Sequence, residues 1–307
     1  MEVLFSGDNS SPGAINESNK RSKPGTLFPV FLIRIFYVKR FVLMEKPRNR
    51  THNIGFNMNR IYPLILIITI AFSASHCSKT DEYQSDQLTD YMNFKVGKYV
   101  IYQLDSLVKK PFDDTAFIVK SYHAKDVMDA LITDNLGRPS WRVVRYLRDT
   151  ASKKESDWMP NHTYMITPLD NTVEVIDNNM RYQKLKLPIK DGYSWRGNSY
   201  IYAEVGSSYA YLADWNYTYE NVGGSFKPLN AVVDSTITVF HIDDVTGIPG
   251  AIDSYSDRIY STETYGKGIG LIYKEFLYRS FQPRRFPDFP QGYTEGYGLK
   301  LRMISHN

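Results

Sequence analysis

From residue 91 to the C-terminus the chain reads as eleven short runs rich in Tyr, Val, Ile, Thr and Trp, at 96–104, 115–122, 141–147, 163–167, 172–176, 199–204, 209–219, 235–242, 258–265, 270–277 and 298–304. Several alternate apolar with polar side chains, as half-buried antiparallel strands do. Turn formers such as Asn135-Leu136-Gly137, Asp191-Gly192, Gly223-Gly224 and Gly266-Lys267-Gly268 separate them. Helical spacing occurs only at 124–133, through Val127, Leu131 and Met128, where helix and strand are equally open. These signals predict an all-β domain over 91–307 with little helix. Its about ten to twelve antiparallel strands would form a β-sandwich or an open, curved barrel-like sheet. Run 209–219 carries aromatics on both parities, so it is covered on two sides or turns one aromatic face to solvent. An echo links 94–100 with 187–195, which share an apolar, Gly, aromatic shape. It marks either two lobes split near residue 185 or, more simply, two strand starts at which Gly lets an aromatic fold over a sheet edge.

The rest of the chain differs in composition. All but two of the 24 tyrosines (Tyr37 and Tyr62) and all four tryptophans follow Cys77. Residues 1–76 carry 10 basic and 4 acidic side chains, which leaves 27 basic and 29 acidic for the remainder. The slightly acidic remainder has no basic stripe, which speaks against nucleic acid as a partner. A single cysteine excludes a disulfide framework.

Met58-Asn59-Arg60, the apolar run 61–72 and the small residues Ser73, Ala74 and Ser75 have the order of a secretory signal peptide. The run is short of the roughly 20 residues a spanning helix needs. Cys77 follows at once and is placed to carry lipid. Ala74-Ser75-His76-Cys77 resembles the lipobox of bacterial lipoproteins, with Ala74 where Leu is usual and His76 where a small residue is usual. Ser78-Lys79-Thr80-Asp81-Glu82 resembles the Lys-plus-acidic tract that follows the lipid cysteine in surface-exported lipoproteins of the Bacteroidota, with Lys79, Asp81 and Glu82 as the export signal. The phrases at 94–106, 185–198, 265–276 and 296–307 are similar to those of an uncharacterised family of Bacteroidota lipoproteins. The resemblance implies an outer-membrane protein held by lipid on Cys77, at the cell surface or, alternatively, on the periplasmic face. It implies no activity.

The expected organisation is an upstream extension at 1–57 from an early start, with Met44 or Met58 as later starts, then a signal peptide at 58–76, an acidic tether at 77–90 and the β domain. Were Met1 the start, the apolar stretch 27–43 with Arg34, Lys39 and Arg40 would be an interfacial basic helix.

The chemistry-bearing residues do not assemble a motif. His123, His162, His241 and His306 show no metal-ligand spacing, and His241-Ile242-Asp243 lacks a visible third ligand. Asp113-Asp114 and Asp243-Asp244 read as turn charges. Gly192 to Arg196 fails the nucleophile-elbow pattern at its last position, and Gly266 to Gly270 reads as a tight turn. No catalytic residue, metal or cofactor is predicted. Two surface features stand out. The Pro-rich loop with Phe281, Arg284, Arg285, Phe286, Phe289 and Tyr293 is a candidate ligand-contact loop, unless its rings pin it to the core. Ser106, Thr115, Thr150 and Ser235, each after an Asp, resemble acceptors of Bacteroidota O-glycosylation, and each also reads as a strand-end turn. The expected function is non-catalytic: a binding or structural domain whose partners are membrane lipid through Cys77 and a glycan or another envelope protein. A LolA-like periplasmic carrier of a hydrophobic molecule is the alternative, which an apolar interior cavity would favour. A glycan-acting hydrolase, third, would need two carboxylates facing a cleft.

Overall fold

The computed structural model describes residues 86–307. The extension at 1–57, the signal peptide at 58–76, Cys77 and the export tract Lys79, Asp81 and Glu82 lie outside the described residues.

Twelve strands form one antiparallel sheet: β1 Tyr99–Lys109, β2 Phe117–Thr133, β3 Pro139–Asp149, β4 Met159–Pro168, β5 Thr172–Asp177, β6 Met180–Lys186, β7 Ser194–Arg196, β8 Asn216–Phe226, β9 Val233–Gly247, β10 Ser256–Gly266, β11 Gly270–Gln282 and β12 Tyr293–His306. The spatial order runs β6-β5-β4-β3-β2-β1-β12-β11-β10-β9-β8-β7. It is therefore two six-stranded meanders joined by the β1–β12 pair, curved into a nearly closed barrel. Helix is confined to three short 3-10 turns among the described residues, Leu88–Tyr91, Glu155–Asp157 and Ala210–Leu212.

Alternation sets the two faces. On β1, Val100, Tyr102 and Leu104 point inward and are buried, and Leu301 and Met303 of β12 join them. The outward residues carry charge: Asp105 pairs with Arg302, and Lys300 Nζ lies 2.7 Å from Glu275 Oε1 across β1, β12 and β11. Such an exterior suits water; a lipid-facing barrel is apolar there.

The segment 124–133 is strand, forming the second half of β2. Its inward set is Ala124, Asp126 and Met128, and the buried Asp126 hides the period-two pattern from a reading by hydrophobicity. Leu131, which supplied the helical spacing, is exposed. Run 199–204 joins no strand; Tyr200 and Tyr202 face solvent. Run 209–219 divides into a 3-10 turn and the start of β8, which explains its aromatics on both parities. The two echoed segments are strand starts at matching places in the two meanders. Gly97 and Gly192 both take positive φ just ahead of β1 and β7. Gly97 N donates to Met128 O and Met128 N to Lys98 O, both at 2.8 Å; likewise Gly192 N donates to Tyr219 O at 2.9 Å and Tyr219 N to Tyr193 O at 3.1 Å.

Closure falls on the edges β6 and β7, and β7 is only three residues long. One backbone bond crosses the seam, from Gln183 N to Gly197 O at 2.8 Å. Side chains supply the rest. Trp195 Nε1 donates to Gln183 O at 2.7 Å, and the Tyr219 hydroxyl both accepts from Lys186 N at 2.8 Å and donates to Lys186 O at 2.9 Å. The N-terminal segment fills one end of the barrel. Leu88 and Tyr91 are buried, the Tyr91 hydroxyl donates to Asp86 at 2.7 Å, Gly268 N donates to Asp90 O at 2.7 Å, and Phe94 stacks on Trp141 at 5.6 Å. Residues 86–90 thus belong to the folded domain, ahead of the expected boundary at 91.

Tyr219→Phe removes one hydroxyl and strips two edge groups of Lys186 of their partner. Leaving buried polar groups unpaired costs about 1–3 kcal/mol, so the urea midpoint should fall with the m-value unchanged. An unchanged midpoint would show that the seam does not need this bond.

Candidate functional site

The barrel interior is not fully packed. A cavity of about 260 Å³ lies inside it. It exceeds the roughly 150 Å³ that admits benzene in an engineered apolar core and approaches the lower bound of about 300 Å³ for small-molecule pockets. Met92 and Asn93 of the N-terminal segment line part of it. The loop between β7 and β8 contributes Tyr211, Leu212 and Trp215. That loop is tied down as a strap: Tyr211 stacks on Tyr278 at 4.5 Å and its hydroxyl meets that of Tyr297 at 3.1 Å, while Trp215 Nε1 donates to Tyr211 O at 2.7 Å. Asn198 Nδ2 donates to Leu212 O at 3.0 Å and receives the Tyr217 hydroxyl on Oδ1 at 2.8 Å.

Apolar wall comes from inward positions such as Met128, Val143, Ile166, Val175 and Leu271. Charge enters at two places. On one wall Arg145 clamps Asp126 through Nε and a terminal nitrogen, both at 2.6 Å, and the Tyr164 hydroxyl donates to Asp126 at 3.0 Å. Burial opposes charge on Arg145, and Asp126 more than offsets it, so the guanidinium pKa lies above its ordinary value.

On another wall Glu263 gathers two ammoniums on Oε1, Lys184 at 2.8 Å and Lys274 at 3.2 Å, and accepts the Tyr265 hydroxyl on Oε2 at 2.7 Å. Burial would raise the Glu263 pKa, but the two ammoniums of Lys184 and Lys274 hold it well below the usual carboxylate range. Burial and the neighbouring carboxylate together push the Tyr265 phenol far up. Lys184 reaches this point from the seam strand β6, so the pair ties β6 to β10 through the interior.

His241 completes this wall. It is the extra residue of a β-bulge in β9, since Ser261 faces Ile242 while Thr262 faces Phe240; bulges of this kind re-aim a side chain. Its ring stacks on Tyr217 at 3.8 Å and its Nδ1 bonds Ser261 Oγ at 2.8 Å. Nε2 has no hydrogen-bond partner and lies 3.7 Å from Glu263 Oε2. Burial, then Lys184, hold its pKa well below the ordinary histidine value despite Glu263, so the ring is neutral. Ser261, His241 and Glu263 do not form an acid-oriented triad, because the His–Glu contact is too long and the carboxylate is already committed.

The candidate residues from sequence fall elsewhere and do not converge. In the loop of Phe281, Arg284, Arg285, Phe286, Phe289 and Tyr293, Arg285 and Phe289 bridge each other's backbone, Phe289 packs on Tyr293 at 4.7 Å, and Arg284 Nε is 2.6 Å from Asp253. Phe281, Phe289 and Tyr293 are half-buried, and of the four rings only Phe286 stands in solvent. Thr150 and Ser235 are exposed, while Thr115 is half-buried with its hydroxyl on Asp113. Ser106 lies within β1, not at a strand-end turn. Asp113 caps its own turn through Thr115 N and Ala116 N, bonds that together with Lys110 lower its pKa to about 2, and Asp243 pairs with Arg258. Among the described residues no group of His, Cys, Asp or Glu is arranged to hold a metal ion. Of the interior ionic wall, Glu263 and Lys274 fall inside strand-like runs of the sequence, whereas Lys184 lies in none.

Comparison with protein-family models and with curated proteins finds no match for this chain.

The neutral His241 makes stability depend on pH with a definite sign. Below about pH 6.5 the unfolded chain binds a proton at this position that the folded barrel does not, so stability falls by about 1.4 kcal/mol per pH unit. His123, its pKa lowered by burial and Arg148, adds in the same direction. Glu263 contributes stability above the ordinary glutamate pKa and loses it only as pH falls from there toward its depressed value. Between pH 6.5 and 5 the slope therefore belongs to the histidines. Urea unfolding at pH 5, 6 and 7 should show it, and His241→Phe, which keeps the ring on Tyr217, should flatten it; a mutant with the wild-type slope would refute the assignment.

Proposed function

We propose that this is a lipid-anchored envelope protein, held by Cys77, whose barrel domain binds a small amphipathic molecule in its interior. The observation that carries the binding reading is the cavity itself, about 260 Å³ walled by apolar and aromatic residues with a few convergent polar groups. The reading is nearer to the carrier envisaged from sequence as the alternative, which a barrel packed solid would have opposed. The wall is mixed where a simple carrier of hydrocarbon needs only apolar surface, which favours a ligand with a polar end. The anchor rests on the lipobox-like segment ending at Cys77 and on the acidic tract after it.

Each half has its own experiment. The neutral dye N-phenyl-1-naphthylamine should gain fluorescence on the purified domain, and Val175→Trp, which places an indole in the cavity from β5, should abolish the gain while the barrel stays folded by circular dichroism. Equal fluorescence in the two proteins would place the dye outside the cavity. For the anchor, cells fed an alkyne fatty acid should label the wild type and not Cys77→Ser. An unlabelled wild type would remove the lipoprotein reading and leave the cavity untouched.

A further inference from the structure

The cavity wall is unbalanced in charge. Four cations line it, Lys98, Arg145, Lys184 and Lys274, against three carboxylates, Asp126, Asp177 and Glu263. The partners identify where the surplus sits. Arg145 and Asp126 satisfy each other by a two-point clamp. Asp177 is bonded by His162 Nε2 at 2.6 Å. Glu263 is shared: Lys184 donates to Oε1 at 2.8 Å and lies over the rings of Tyr182 and Tyr217, at 4.9 and 5.5 Å, which also offset its charge. Lys274 has only the second claim on that oxygen, an ion pair at 3.2 Å. Its side chain is 24% exposed where that of Lys184 is 9% exposed, and it faces the cavity from the inward side of β11. Lys98, just ahead of β1, has no ion-pair partner among the described residues; Lys274 shares its partner and projects from β11 on the face of Phe276, whose ring lies 6.4 Å from those of Tyr211 and Trp215.

We propose that the cavity selects an amphipathic monoanion, its acidic head on Lys274 and its ring or short chain against Tyr211, Trp215 and Phe276. This rests on the interior-binding reading and adds the ligand's charge class. An ammonium whose counter-charges, Glu263 and the nearby Asp177, are both bonded by other groups gains from an incoming oxyanion, because charge-assisted bonds are the strong ones in a low-dielectric interior. The volume sets the body at about one or two rings, since benzene needs roughly 150 Å³. A diacyl lipid is therefore outside the class, and a carboxylate or sulfonate on a compact apolar body is inside it.

The test uses two probes of equal size, 2-naphthoate and 2-naphthalenemethanol, titrated into the intact mature protein by calorimetry, with acetate as a head-only control. The acid should bind at least about tenfold more tightly than the alcohol, a modest yield for one charge-assisted bond, and acetate should not bind measurably. Lys274→Met should reduce the acid to the affinity of the alcohol and leave the alcohol unchanged, while Lys274→Arg should keep the preference. Thermal melting of each variant separates loss of the site from loss of the fold. Equal binding of acid and alcohol to the wild type, or a preference that survives Lys274→Met in a folded protein, would overturn the monoanion proposal and leave interior binding standing. Failure of both probes to bind would overturn the interior reading as well.

Discussion

The structure depends on closing a sheet whose last edge is almost too short to close. A twelve-stranded meander pair leaves β6 and β7 as free edges, and unpaired edges are costly and prone to pairing elsewhere. Three residues of β7 cannot supply a ladder for seven residues of β6. Aromatic side chains with polar ends substitute for the missing backbone: the Trp195 indole and the Tyr219 phenol bond to edge groups of β6 while their rings pack 4.7 Å apart. Burial and hydrogen bonding are met by the same atoms, which is what such side chains offer.

The second tie across this seam is ionic. Replacing a buried ion pair with apolar residues of equal volume is often neutral or stabilising, so the Lys184–Glu263 contact is weak evidence for stability gained. What it does is geometric. An ammonium and a carboxylate must meet at hydrogen-bonding distance, which draws β6 toward β10 through the interior and leaves space around the charged heads that hydrocarbon would otherwise fill. The cavity and the seam are thus two results of one placement of polar groups.

Strand character was legible because period-two alternation and Tyr, Val, Ile and Thr enrichment survive without tertiary context, as in β1, where Val100, Tyr102 and Leu104 alternate with outward residues. It failed where polar residues occupy inward positions. Asp126 in β2 and Lys184 in β6 break the apolar pattern, so the first was open to a helical reading and the second left its strand unseen. Both failures coincide with the interior ionic walls. The aromatic loop at 281–293 was conspicuous in composition, yet composition does not reveal that Phe289 and Tyr293 pack on each other, leaving Phe286 as its one ring in solvent. Convergence of Lys184, Glu263 and Lys274 from β6, β10 and β11 needs the closed topology, which no local pattern encodes.

Because Glu263 serves both the seam and the cavity, the two are thermodynamically linked. An anion on Lys274 withdraws one of the two claims on Glu263 Oε1 and leaves the carboxylate to Lys184, the residue that holds β6. A ligand that binds only the closed barrel stabilises it by mass action, by about 2.7 kcal/mol at a hundred times its dissociation constant. The barrel would then be tightest when loaded, and its weakest edge is the one that the ligand's counter-charge reinforces. Below about pH 6.5, where neutral His241 weakens the fold, the loaded state would offset part of that loss.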